Sequence, residues 1–238
     1  MCKRRLIIIV TLAALVALYL LLAADPAAAE RGREREAMVR EQIEARGVRD
    51  SVTLAALRQV PRHLFVPESH SRYAYQDSPL PIGHGQTISQ PFIVAYMTAL
   101  VQSGPQRKIL EIGTGSGYQA AVLAATGADV YSIELIPQLA DLAGEQLRRA
   151  GFTQVHTRNA DGYYGWPEAA PFDAIVVTAA AEYVPPPLLE QLVDGGLMVI
   201  PVGSPFFTQS LLLVRKQGQK VVTTNLMPVR FVPFRRAE

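Results

Sequence analysis

Thiols are nearly missing from this 238-residue chain, in which Cys2 is the only cysteine. That excludes an intrachain disulfide and a zinc site built on thiolates. Histidine is scarce as well: His63, His70, His84 and His156 lack the H-x-x-x-H spacing that sets two imidazoles on one helix face. No metal site is therefore expected, and each histidine reads as a surface or hydrogen-bonding residue. Charge of one sign is also lacking. The 23 Lys and Arg against 21 Asp and Glu leave a net charge of +2, spread along the chain. A nucleic-acid partner would call for basic clusters, so none is expected. There is no internal repeat and no low-complexity stretch. Hydrophobic residues, at 49%, suffice for a sizeable core and rule out a disordered chain.

The N-terminus stands apart from the rest. Lys3-Arg4-Arg5 precedes an apolar run from Leu6 to about Ala24, and Asp25-Pro26-Ala27-Ala28-Ala29 follows. A basic start, an apolar middle and a small-residue site are the parts of a secretory signal peptide. The run is also nearly long enough to span a bilayer, so an uncleaved membrane anchor fits too. Arg31, Arg33 and Arg35 offset the basic residues before the run and leave its orientation open. Residues 1–29 are thus a signal peptide or anchor, and 30–36 a charged linker or the start of a solvated helix. Residues 37–238 form one domain, with a helical and loop region over 37–104 and a Rossmann-like core over 105–238.

Within that domain, apolar spacing predicts a helix from about Arg35 to Arg46, with Gly47 at its C-cap. Asp50 or Ser51 caps a second helix, which Pro61 closes. Residues 61–91 hold no clear period, and a long irregular segment inside a compact domain is usually functional. Strands and helices then alternate. Strands are expected at 108–112, 129–133, 154–157, 172–177 and 197–201, with helices at 118–125, 138–150 and 187–192. Two last strands, 209–215 and 220–226, join through Gln217-Gly218. The pattern predicts an α/β fold: a doubly wound, mainly parallel sheet ending in an antiparallel hairpin.

Glu111-Ile112-Gly113-Thr114-Gly115-Ser116-Gly117 lies between the first of these strands and its helix. Glycines allow a sharp turn and close approach of a ligand, and the helix start offers free N–H groups. Glu134 ends the next strand, where such folds place a carboxylate on ribose hydroxyls. A dinucleotide with its pyrophosphate prefers G-x-G-x-x-G, whereas here the spacing is G-x-G-x-G behind an acidic Glu111. That acidic group suits the cationic methionine end of S-adenosylmethionine better. Asp161-Gly162 follows the third strand, in reach of a nucleotide base. Asp161 there is either an acceptor for an adenine amino group or part of a solvated turn.

The stretch Asp77 to Pro91 carries no general-purpose motif, but Gly85-Gln86-Thr87-Ile88-Ser89-Gln90-Pro91 resembles the signature of the protein-L-isoaspartate O-methyltransferase family. Val60 to Pro67, Ala74-Tyr75, Leu110 to Ala121, Pro171 to Ile175, Val177 to Ala180 and Val229 to Pro233 agree in order, so the resemblance covers about residues 36–234. It implies a class I methyltransferase fold and methyl transfer from S-adenosylmethionine to the α-carboxylate of isoaspartyl residues in damaged proteins. Ser89 matches the family's active-site position, with Thr87, Ile88, Gln90, Phe231 and Val232 around the substrate. The cofactor contacts would be Glu111, Gly113, Thr114, Gly115, Gly117, Glu134, Asp161 and Gly162. Ala160 departs from the family's Gly-Asp-Gly, and the leader is unlike cytosolic members. Family and cofactor supply point to a cytoplasmic catalytic domain, whereas the leader points to a membrane-attached or exported one. Isoaspartyl carboxylates are ionised near neutral pH, so no general base is needed. Ser89 would orient the carboxylate rather than attack, since no G-x-S-x-G elbow surrounds it. The competing readings are a methyltransferase with another acceptor, an NAD-dependent dehydrogenase and a non-catalytic binding protein.

Overall fold

A computed structural model describes residues 26–204 and 206–237. The apolar run from Leu6 to Ala24, with its leader or anchor reading, lies outside them. Among the described residues no helix is long and apolar enough to cross a membrane.

Helix α1 runs over Pro26–Ala37 and continues as a wider turn over Met38–Ile43 and a tight one over Glu44–Arg46. Residues 30–36 are therefore helical rather than a linker. Arg31 pairs with Glu34 at 2.8 Å and donates to the Ser71 hydroxyl at 3.1 Å. Gly47 closes the segment in the left-handed conformation, with φ 96°. Asp50 caps α2 (Ser51–Gln59), accepting from the Thr53 amide at 2.7 Å. The segment expected to be irregular holds two tight turns and a small hairpin, β1 (Leu80–Gly83) against β2 (Gln86–Ile88). Helix α3 (Pro91–Leu100) follows, and its period was invisible in the sequence because it is buried on nearly every face.

The remaining strands are β3 (Lys108–Ile112), β4 (Asp129–Glu134), β5 (His156–Asn159), β6 (Phe172–Val177), β7 (Leu192–Val202), β8 (Gln209–Gln217) and β9 (Lys220–Val229). They form one sheet in the order β5-β4-β3-β6-β7-β8-β9. Pairing is parallel from β5 to β7 and antiparallel across β7, β8 and β9, as expected. Helices α4 (Tyr118–Ala125), α5 (Pro137–Arg149) and α6 (Pro186–Glu190) complete the crossovers. Side chains alternate across a strand. Ile109, Ala174, Val176 and Val199 thus face the core shared with α2 to α5, while Leu110, Ile112, Ile175 and Met198 face the opposite core with Leu188 of α6. Cover on both faces explains the continuous apolar runs.

Two strand starts differ from the expected ones. The third strand starts at His156, because Gly151 to Val155 closes α5 through amides of Gly151, Phe152 and Val155 bonded to Arg148, Leu147 and Phe152. The strand expected to begin after Gly195-Gly196 begins at Leu192 instead. The two glycines sit inside it, where the register jumps from Phe172 opposite Leu192 to Ala174 opposite Leu197. Gly195 has φ 77°, a left-handed conformation that glycine takes at such a bulge.

Candidate active site

From β3 the chain winds outward through β4 to β5 and returns to β6 on the other side. A crevice is left at the carboxyl edge between β3 and β6, where open α/β sheets bind ligands. The glycine turn fills the head of this crevice. Amides of Gly113 and Thr114 bond the Ile133 carbonyl of β4 at 2.8 and 3.2 Å. Gly113 has φ 96°, and a Cβ there would meet Thr178 Oγ1 at 2.5 Å. Its need for glycine therefore comes from backbone conformation and from Thr178, whose hydroxyl donates to the carbonyls of Ile112 and Gly113 at 3.0 and 2.7 Å.

An open cavity of about 580 Å³ lies against this turn. Gly113, Gly115, Glu134 and Gly162 of the expected set line it, together with Leu135, Ile136 and Thr178. Glu134 is held by two backbone donors, Gly115 N at 2.8 Å on one oxygen and Ile136 N at 2.9 Å on the other. Gly162 is packed so closely that a Cβ would lie 2.4 Å from Ile112 Cγ2.

Three other expected residues support the turn from behind. The Thr114 hydroxyl pairs with Ser132 Oγ at 2.6 Å, and Ser132 in turn donates to Glu111 Oε2. Glu111 is fully buried, and its Oε1 has no partner among the described residues. Burial raises its carboxyl, the Ser132 bond opposes this, and the nearby Glu134 charge adds to it, for a value of about 8. Gly117 begins α4 with φ 84° and packs against Ala143 and Leu147.

Asp161 is engaged differently than its sequence position suggested. Its Oδ1 accepts from Tyr163 N at 3.0 Å, and its Oδ2 from Arg236 Nε at 2.9 Å and Ala237 N at 3.1 Å. Burial works to raise this carboxyl, but the guanidinium and the two amides outweigh it and hold it below its ordinary range. Arg236 also lies 3.7 Å above the Tyr163 ring. These contacts tie down a C-terminal strap, already laddered to Ala180 through the Val232 carbonyl and the Phe234 amide, each at 2.8 Å. Residues 232–235 of the strap wall the cavity.

A second cavity, of about 830 Å³, opens on the other side of Val232. Thr87, Ser89, Gln90, Phe231 and Val232 line it, as do Pro79, Ile93 and Arg230. Ile88 does not. Strand alternation in β2 turns it into the core, where it is 4% exposed. Thr87, Thr178 and Val232 belong to both cavities and form the wall between them. Thr178 and Arg230 were not singled out by the sequence reading. For Thr178 the usable signal was its place just past the carboxyl end of a central strand, beside the glycine turn.

The chain is similar to proteins of known kind over almost its full length. A family profile described as Protein-L-isoaspartate(D-aspartate) O-methyltransferase matches residues 33–238. The Protein-L-isoaspartate O-methyltransferase of Opitutus terrae is 59% identical over 224 residues, covering 93% of this chain and 96% of that protein. Protein-L-isoaspartate O-methyltransferase 1 of Nitrosospira multiformis is 58% identical, covering 87% and 89%. Among solved structures, a protein-L-isoaspartate O-methyltransferase superposes with a TM-score of 0.78 at 30% identity. That match covers 84% of this chain and spans 65% of the solved one.

Proposed function

The chain belongs to the protein-L-isoaspartate(D-aspartate) O-methyltransferase family, and from that premise we propose how its two adjoining cavities divide the work. The enzyme transfers a methyl group from S-adenosylmethionine to the free α-carboxylate of L-isoaspartyl residues, the opening step in repair of damaged proteins.

The cavity beside the glycine turn takes the cofactor. Its residues fit that group on three counts. Glu134 keeps lone pairs for ribose hydroxyls after accepting its two amides. Leu135, Ile136 and Ile112 offer apolar surface to the base. Behind the turn, Glu111 carries a buried carboxyl oxygen without a partner among the described residues, which a nearby cation would stabilise. Asp161 meets an adenine amino group only by sharing its carboxylate with Arg236 or releasing it. The bound sulfonium supplies an activated methyl group.

The second cavity takes the isoaspartyl segment. Ser89 donates its hydroxyl to the acceptor carboxylate and fixes its angle toward the shared wall. Arg230, the one cationic residue among the described residues of the lining, draws the anion in. A carboxylate already ionised at neutral pH requires no base, so the protein's contribution is alignment and exclusion of water. The observation that carries this reading is the wall of Thr87, Thr178 and Val232 common to both cavities. The test is methylation of an isoaspartyl peptide against the same peptide with a normal aspartyl residue. Labelling confined to the isoaspartyl form is expected, and equal labelling of both would overturn the assignment.

Lys3-Arg4-Arg5 and the apolar run after it are read as directing the domain to a membrane, cleaved or retained. Cell fractionation with sequencing of the mature N-terminus tests this; full-length protein found only in the soluble fraction would end it.

A further inference from the structure

Ser89 precedes a helix that lacks a cap of its own. Gln90 occupies the N-cap of α3 but makes no side-chain cap bond, and Pro91 in the first turn has no amide to donate. The free amide of Phe92 is answered from far away in sequence: Asp77 Oδ1 accepts it at 3.1 Å. The other oxygen, Oδ2, accepts from Gln90 Nε2 at 2.7 Å, and the Asp77 carbonyl accepts from the same amide group at 3.1 Å. One side chain thus grips residues 90 and 92, on either side of Pro91 and directly after Ser89. A carboxylate at a helix N-terminus is also favoured by the helix dipole.

Asp77 is itself held on several sides. Arg46 Nη1 pairs with Oδ2 at 2.7 Å, and the Arg46 guanidinium carbon lies 3.4 Å over the Phe92 ring. The backbone around it is pinned by two side-chain donors. Arg62, fully buried, donates to the Ala74 carbonyl at 2.8 Å and to that of Ser78 at 3.5 Å, and Gln42 donates to the Tyr75 carbonyl at 3.0 Å. Neither Asp77 nor Arg46 lines the acceptor cavity.

We propose that Asp77 is a positioning residue for methyl transfer, which sets Ser89 and Gln90 against the acceptor carboxylate by clamping the start of α3, with Arg46 holding it in place. This rests on the assignment of Ser89 to the acceptor. Asp77→Asn turns a donor toward the donors of Gln90 and Arg46, so the clamp opens while volume is kept. In-line transfer is sensitive to sub-ångström placement. The expected result is a fall in kcat of about 10- to 100-fold.

The test compares Asp77→Asn, Asp77→Glu, Arg46→Gln and Ser89→Ala in the full chain. It measures kcat and KM on an isoaspartyl peptide, S-adenosylhomocysteine affinity by calorimetry, and hydrogen exchange at the Phe92 amide. All are read well below each variant's melting temperature. The clamp predicts a kcat loss with unchanged S-adenosylhomocysteine affinity, faster exchange at Phe92, partial recovery in Asp77→Glu and a smaller loss in Arg46→Gln. If Asp77→Asn does not fold, Arg46→Gln and Asp77→Glu decide together, because Arg46→Gln also removes the cation over the Phe92 ring whereas Asp77→Glu leaves it in place. Wild-type kcat in the folded clamp variants, beside an impaired Ser89→Ala, overturns the role of Asp77. An unimpaired Ser89→Ala overturns the Ser89 assignment instead.

Discussion

The two cavities are built in opposite ways. On the cofactor side, the turn after β3 and the end of β4 supply the largest local group of wall residues, within 112–136, and the strap over 232–235 adds to it. On the acceptor side, residues 79–93 meet residues 227–232 across more than a hundred positions of sequence. The head of the first is a local device whose geometry follows from glycine conformation and one carboxylate. The second exists only when a hairpin, the start of α3, the end of β9 and the strap after it are all in place. The cofactor side should therefore respond to substitution mainly in affinity, and the acceptor side mainly in turnover.

The largest effect expected outside the Asp77 clamp tests that division directly. Ser89→Ala should lower kcat/KM for an isoaspartyl peptide about 100-fold, roughly 2.7 kcal/mol of transition-state stabilisation, with S-adenosylhomocysteine affinity unchanged. Steady-state kinetics with calorimetry reads both, and equal loss of binding and turnover would erase the distinction between the cavities. Glu134→Gln should do the converse. Losing a charged acceptor weakens S-adenosylhomocysteine binding by about tenfold, in keeping with the worth of a charge-assisted hydrogen bond. The peptide KM should stay put; an unchanged cofactor affinity would remove Glu134 from the ribose role.

Glu111 sharpens the comparison through pH. Burial lifts its carboxyl from 4.5 to about 8 in the folded chain. Between those values the unfolded chain releases a proton that the folded one keeps, so this group costs stability as pH rises across the window. Glu111→Gln cannot ionise and escapes the cost. Its melting temperature relative to the wild type should climb from about pH 5 to about pH 8. A difference independent of pH would mean that Glu111 is ionised in the fold.

The smallest effect belongs to the strap. Arg236 is exposed, and exposed ion pairs contribute little. Arg236→Ala should change S-adenosylhomocysteine affinity by no more than about threefold, in a direction that reports how Asp161 is used. Tighter binding means that Arg236 competes with the cofactor for the carboxylate; weaker binding means that the strap holds the cavity closed. A tenfold loss would place the strap among the principal cofactor contacts.

How far the sequence could be read follows the same division. The glycine turn, Glu134, the Asp50 cap and the parallel strands were legible because each is written in neighbouring residues with a local physical signal. Helix α3 was not, since a helix buried all round has no polar face to mark its period. The β7 boundary was misplaced because a glycine pair reads equally as a helix end or a bulge, and only pairing with β6 decides. Ile88 belonged to the signature, yet alternation in β2 sends it to the core. Asp161 read as an adenine acceptor or part of a solvated turn; it does cap the turn after it, but nothing near it in sequence announces Arg236.

By itself the sequence determined the sheet, the glycine cradle and the chemical class of the reaction, since backbone conformation, apolar periodicity and a long signature are properties of contiguous residues. Tertiary structure alone decided which distant residues come together around the two cavities: Thr178 on the shared wall, Arg230 at the acceptor lining, Asp77 at the start of the helix after Ser89, Arg236 on Asp161. Those pairings span from 13 to 75 positions of chain in the hydrogen bonds that make them. No local rule encodes a contact whose partners are brought together only by closing the core.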